Sequence, residues 1–367
     1  MLDVQQVISE LAKLAPRFLA YDWDNVGLQV GNTGWGVERI LLTLDVTEEV
    51  MEEAIDKGCD IVISHHPLIF NGINSINEQT KTGRIIMSAI NNKIAIYSAH
   101  TNLDIAPGGL NDYLAHLLGV KNTNLLEITD IKEHYKLVVY IPEDNYEEVK
   151  QSILDKGAGK AGNYSHSSFS TAGTTTFKPL AGSNPYRGEK GEISSINEIK
   201  FETIVAKDEL NEVLEALYDV HPYEEIAYDL YPLSNKKEKY GIGRIGDLES
   251  KISLEEFLDR VKEKLQLKKI MLAGPVTRKV KRIALCSGAG SNYIKAAKNA
   301  GADLYLTGDI KYHQAQQAEN IGLSLIDAGH YNTEKIVKEL LLDYFTGKLD
   351  STDIIKSDIC TNPWQEI

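Results

Sequence analysis

The stretch "DIVISHHPLIF", Asp60 to Phe70, joins an apolar run to two adjacent imidazoles and a proline. Ile61, Val62 and Ile63 form a short β-branched run, the pattern of a strand buried on both faces. His65 and His66 follow, and Pro67 forbids further ladder pairing because it has no N–H. Adjacent strand residues point to opposite faces. The two imidazoles therefore share one site only where the strand has ended. They are either a loop pair at a strand terminus or ligands delivered by that strand.

The surroundings carry an α/β grammar. "RILLTLD" (Arg39 to Asp45) reads as a strand, and "VTEEVMEEAIDKG" (Val46 to Gly58) as a helix with Thr47 as N-cap and Gly58 as stop. "KTGRIIMSAINNK" (Lys81 to Lys93) reads as a helix and "IAIYSAHTNLD" (Ile94 to Asp104) as a strand with a polar end. From about Gly241 the same alternation returns in "RIALCSGAGSNYIKAAKNAG", "DLYLTGDIKYHQAQQAENIG" and "LSLIDAGHYNTEKIVKELLLDYF". Alternation of this kind predicts parallel sheets. Between them, "HYKLVVYIPEDNYEEVKQSILDKG" (His134 to Gly157) and Glu198 to Leu233 give two strand–helix units around a polar, Gly/Ser/Thr-rich stretch. We expect an inserted ferredoxin-like α+β module there, with Ser234 to Gly241 as its exit linker. The expected division is an N-terminal α/β lobe at 1–128, the insert at 129–238 and a C-terminal α/β lobe at 239–367.

Composition narrows the function classes. A formal net charge of −14 over 367 residues argues against a dedicated nucleic-acid binder and suits divalent cations. Cys59, Cys286 and Cys360 are far apart, so neither a disulfide framework nor a Cys-x-x-Cys zinc motif is present. The N-terminal stretch reads as an amphipathic helix rather than a leader, and no run is long enough to span a bilayer. A reducing cytoplasm is the expected compartment.

Open α/β sheets place their sites at the carboxyl ends of strands. There the chain offers His65 and His66, then His100 and Asp104, then Asp309 and His313, then His330 and Glu334. His330 and Glu334 are four residues apart at a helix start, so they share a face; alone, they could be a cap and a dipole-complementing carboxylate. Asp104 is expected in a loop, where it could equally serve a turn. His100 reads as a partner of a ligand or a substrate contact. Jointly, His65, His66, Asp104, His330 and Glu334 are too many for one tetrahedral zinc site and include no thiolate. They suit two ions sharing a carboxylate, with water activated near neutral pH; zinc, manganese and iron all accept such donors. The Gly-rich turn "CSGAGSNYI" (Cys286 to Ile294) could offer backbone N–H groups to an anion, but it lacks the full dinucleotide fingerprint and the phosphate-loop lysine, so it reads first as a tight strand-to-helix turn. Asp24 and Asn25, in "YDWDNVGLQVG", could line a pocket or shape a loop.

Taken in order, "SHHPLIF", "AHTNLD", "TGDIKYH" and "GHYNTE" resemble the NGG-interacting-factor-like family, whose bacterial members carry the name GTP cyclohydrolase 1 type 2 homolog; "DNVGLQVG" is similar to it too. The resemblance implies two α/β lobes facing a dinuclear metal centre and a toroidal homohexamer. It implies two divalent ions per subunit, zinc first, held by His65, His66, Asp104, His330 and Glu334. It also implies that the segment from about Ile131 to Leu233, with "HPYEE" and "AGNYSH", is similar to the trimeric PII and CutA proteins. The expected function is a metal-dependent hydrolase acting on a small nucleotide-like substrate, with His100 and His313 as candidate catalytic proton shuttles or substrate contacts. The alternative is a regulatory or metal-handling assembly whose insert senses a small molecule. Nucleic acid and membrane are not expected partners.

Overall fold

Local signals set most of the elements. Thr47 Oγ1 accepts the Val50 N–H at 3.3 Å and starts the helix Glu48–Asp56; Gly58, at φ +63°, turns the chain out of it. Thr80 caps Lys81–Asn91 in the same way through the Gly83 N–H. In this computed structural model residues 2–349 and 352–365 are described. They divide into two compact units, one made of residues 1–130 and 240–367, the other of residues 131–239.

The larger unit contains a short antiparallel pairing of Leu2–Asp3 with Gly36–Val37 and strands of two larger sheets. The first has five strands in the order Asp353–Lys356, Arg39–Thr43, Ile61–Ser64, Ala95–Ser98, Gly27–Val30. Only the last pairing is antiparallel. Its central strands are buried at every position, which explains their unbroken apolar runs. In the second, Lys279–Leu285, Leu304–Thr307 and Ser324–Asp327 run parallel. Met271–Ala273 closes one edge antiparallel to Ser324–Asp327, and residues 244–253 of the strand Tyr228–Ser253 pair antiparallel to Lys279–Leu285. One apolar core runs through both flanking segments, from Val4 and Leu11 through Tyr97 and Leu114 to Phe257, Leu306 and Phe345. Buried Arg244 adds a polar tie. Its guanidinium donates to both Asp112 oxygens at 2.7 and 2.8 Å and to the carbonyls of Gly241, Gly243 and Ala106.

Two expectations change. The segment Ser234–Gly241, read as a linker, continues the strand Tyr228–Ser253. Its polar composition hid the pairing, but its glycine betrays it: a Cβ on Gly241 would meet the Glu127 carbonyl oxygen at 2.1 Å. The C-terminal segment also does not keep all its strands, since Asp353–Lys356 joins the N-terminal sheet beside Arg39–Thr43.

The smaller unit has its own core of Leu137, Val139, Ile141, Val149, Ile153, Phe201, Val205, Val213 and Leu217. In its sheet, Ser194–Ala206 pairs antiparallel with Ser168–Phe177 on one side and with residues 134–142 on the other. The strand beginning at Tyr228 lies beyond those residues. Helices Tyr146–Asp155 and Leu210–Val220 pack on each other, with Ser152 Oγ donating to the Ala216 carbonyl at 3.4 Å. Among the described residues no helix is long and apolar enough to cross a membrane.

Candidate metal centre

The strand Ile61–Ser64 stops one residue short of His65, and both imidazoles turn off its end. His65 is fully buried and half-buried His66 lies beside it, ring centroids 5.3 Å apart. The next strand, Ala95–Ser98, is followed by His100 and the short helix Thr101–Ile105, which carries Asp104. Asp104 was expected in a loop; the turn it belongs to is helical, and that puts its buried carboxyl on the inner side. In the second sheet, the strand Ser324–Asp327 is followed by Ala328 and Gly329, and the helix His330–Glu334 begins next. Three strand ends thus feed one place.

Each imidazole is held by its Nδ1 and presents its Nε2. His66 Nδ1 bonds Asp45 at 2.7 Å, His330 Nδ1 bonds Asp309 at 2.8 Å, and His100 Nδ1 bonds Asp24 at 2.9 Å. His65 Nδ1 donates to the Ala99 carbonyl at 2.8 Å. An acceptor on one ring nitrogen fixes the tautomer and frees the other nitrogen as a ligand. Glu334 sits among the Nε2 atoms. Its Oε2 lies 2.9 Å from Nε2 of both His66 and His330, and its Oε1 lies 3.8 Å from His65 Nε2. Asp104 Oδ1 is 3.7 Å from His65 Nε2 and accepts the Ser287 hydroxyl at 3.1 Å.

These contacts are close without being a closed hydrogen-bond network. His65 Nε2 and Glu334 Oε2 are buried and, among the described residues, have no hydrogen-bond partner of proper geometry. Buried polar atoms left so are costly, and a shared cation removes the cost. Two overlapping triads have ligand atoms within reach of a common ion: His65, His66 and His100, and His66, His330 and Glu334. The donor set is nitrogen and oxygen only, as divalent transition ions accept.

The electrostatics are those of a site prepared for positive charge. Burial pulls the His66 imidazolium down, but Asp45 and Glu334 outweigh it and hold its pKa up at about 10. Burial opposes the charge on His330 as well, yet Glu334 and Asp309 raise it to about 9. Burial pushes the Glu334 carboxyl up, but His330, His65 and His66 together hold it well below the usual range. Asp104 goes the other way, because burial raises it more than His65 lowers it.

Of the sequence-predicted residues, the structure brings together His65, His66, His100, Asp104, His330 and Glu334. It does not bring in His313. That side chain is exposed on the helix Tyr312–Asn320, bonded to Gln316 and packed on Tyr312, and belongs to neither triad. Nothing in the sequence marks Asp45 as the anchor of His66, although it lies two residues past the end of Arg39–Thr43. The turn at Gly288 reads in sequence as a tight turn or an anion cradle, with nothing to place it at the cluster. Gly288, at φ +60°, lies against the cluster: a Cβ there would sit 2.1 Å from Glu334 Oε1. Its N–H bonds Thr333 Oγ1 at 2.9 Å, tying the turn to the helix His330–Glu334. Beside the cluster opens a cleft of about 760 Å³, lined by His66, His330, Tyr331, Asn332, Met271 and Trp364 among others.

Known proteins resemble the chain along nearly its whole length. Residues 2–363 match the family described as Duf34/NIF3 (NGG1p interacting factor 3). The chain is 41% identical over 364 residues to the GTP cyclohydrolase 1 type 2 homolog of Halalkalibacterium halodurans, covering 98% of each. It is 40% identical to the protein of that name from Bacillus subtilis, covering 98% of this chain and 97% of the relative. A solved Bacillus cereus protein related to NIF3 superposes with a TM-score of 0.81 at 40% identity, covering 100% of this chain and 99% of that one. The chain belongs to the Duf34/NIF3 family.

Proposed function

We propose that the chain holds two divalent metal ions and hydrolyses a small, nucleotide-like substrate with them. The observation that carries this reading is the convergence of anchored Nε2 atoms on the two oxygens of Glu334. Oε2 faces His66 and His330, while Oε1 faces the side of His65 and Asp104. A carboxylate with different partners on each oxygen suits a bridge between two ions, with His65, His66, Asp104, His330 and Glu334 as ligands. Zinc comes first, and manganese or iron also suit the donor set. Two such ions acidify water and polarise a phosphoryl or amide-like centre.

The chain's own residues do the rest. Asp45, Asp309 and the Ala99 carbonyl fix the tautomers of His66, His330 and His65. His100, oriented by Asp24, is the group at hand to carry a proton. The adjoining cleft holds the substrate, with Tyr331 and Trp364 as its aromatic surfaces. The name borne by the curated relatives makes GTP the first compound to screen. The same proposal takes residues 131–239 as a ferredoxin-like, PII/CutA-type insert, supported by the order of its strands and helices. It takes the assembly as a toroidal homohexamer in the cytoplasm.

The test is metal analysis of purified protein with a turnover screen over nucleotides and phosphoesters. His330→Ala should lose metal and turnover together. Turnover that persists in a metal-free variant would end the hydrolase reading. A second reading, metals as structure or cargo in a regulatory assembly, is favoured by the complete burial of His65. It gains if loaded protein is inert across the screen while chelation lowers its thermal stability.

A further inference from the structure

Glu198 lies in the strand Ser194–Ala206 of the smaller unit and is only 2% exposed. Both of its oxygens accept from neutral hydroxyls: Oε2 from Thr175 at 2.5 Å and Oε1 from Tyr223 at 2.5 Å. Among the described residues it forms no ion pair. The nearby imidazole does not supply the missing charge. His221 is buried, its pKa is lowered by burial, and its nitrogens are used by the Tyr140 carbonyl and the Tyr223 N–H. A carboxylate withdrawn from water without a cation is costly, and each of its oxygens retains a lone pair.

That carboxylate opens onto a cavity of about 410 Å³, within the range of small-molecule sites. Phe177, Leu180, Tyr186 and Tyr223 give it apolar and aromatic walls, and the Tyr186 and Tyr223 rings stand 6.1 Å apart. Its charged lining is Lys178, Arg187, Glu198, Glu224 and Glu225. Arg187 is already committed, paired with Asp144 and lying 5.7 Å from the Tyr186 ring. Glu224 accepts the Asn184 N–H at 2.7 Å, a second acidic group near the opening. Aromatic faces beside a buried carboxylate are the combination that recognises organic cations.

We propose that this cavity binds a small organic cation, an amine, amidine or guanidine, whose N–H groups reach Glu198 while its apolar body packs on Tyr186 and Tyr223. The site lies wholly within residues 131–239 and stands whether or not the metal centre is catalytic. Titration calorimetry on the full metal-loaded chain tests it with benzamidine, phenethylamine and phenylguanidine as probes. Neutral benzamide and anionic benzoate serve as controls. At least one cationic probe should bind, and Glu198→Gln should weaken it tenfold or more. Tyr223→Phe keeps the ring and removes one hydroxyl, and should weaken binding less. Cooperative thermal unfolding of each variant serves as the folding control, and Tyr223→Phe carries the test alone if Glu198→Gln does not fold. The proposal is overturned if no cationic probe binds at millimolar concentration. It also fails if benzamide or benzoate binds as tightly as benzamidine, or if neither substitution changes the affinity.

Discussion

Glu334 is the residue on which the proposed metal centre turns, because among the described residues it alone lies within 3.8 Å of three imidazoles. Glu334→Gln keeps the shape and removes the charge. It should abolish metal retention through dialysis, measured by elemental analysis, while the protein stays folded. Asp45→Asn touches no ion directly; it withdraws the charged acceptor from His66 Nδ1. Loss of such a partner typically weakens metal binding about 10–100-fold, which competition with a chromophoric chelator would measure. An unchanged affinity would mean that Asp45 does not orient His66. The contrast shows what was legible in the sequence. Candidate ligands announce themselves because an imidazole or carboxylate at a strand end is conspicuous. Their anchors do not, because Asp24 is 76 residues from His100 and Asp45 is 21 from His66, separations only the folded sheet closes.

Turns and edges were harder to read than strands. Gly288 reads in sequence as one small residue in a tight turn, yet its missing side chain is what lets the turn approach Glu334. Gly288→Ala places a methyl group on a left-handed backbone and into the carboxylate. Backbone strain alone costs about 1–3 kcal/mol at such positions, and the displaced Glu334 should lose its grip on metal. The expected outcome is a folded protein with a lower melting temperature and little bound metal; full occupancy would show that the turn yields. The C-terminal strand was hidden for another reason. "DIIK" is short and has no strong pattern of its own. It is ordered by a partner more than 300 residues earlier, and Ser357 and Asp358 beyond it bond Glu53. Truncation after Thr352 should therefore destabilise the N-terminal sheet by uncovering the edge of Arg39–Thr43, read as reduced soluble yield and a lower thermal midpoint.

The strand–helix alternation of the two flanking segments was plain from their apolar runs, but their union in one unit was not, because a shared core leaves no mark on either segment alone. That union brings negative and positive groups together at depth, and it gives the molecule a pH response whose sign can be worked out. In metal-free protein the pKa of His66 stands at about 10 and that of His330 at about 9, both above the ordinary value of 6.5. Their contribution to stability is complete below about 6.5 and is lost as pH rises through 9 and 10. Glu334 is depressed, so its contribution is present above the ordinary carboxylate range and lost as pH falls through its lowered value. Metal-free protein should therefore melt at progressively lower temperature from pH 7 to pH 10. In loaded protein an ion takes the place of those protons, and the same alkaline decline should be largely absent. Binding itself should release protons at pH 7, because both imidazoles must give theirs up to become ligands. Calorimetry in buffers of different ionisation enthalpy would count them, and apparent affinity should rise with pH. Proton uptake on binding, or an alkaline decline that metal does not suppress, would mean that these imidazoles are not the ligands.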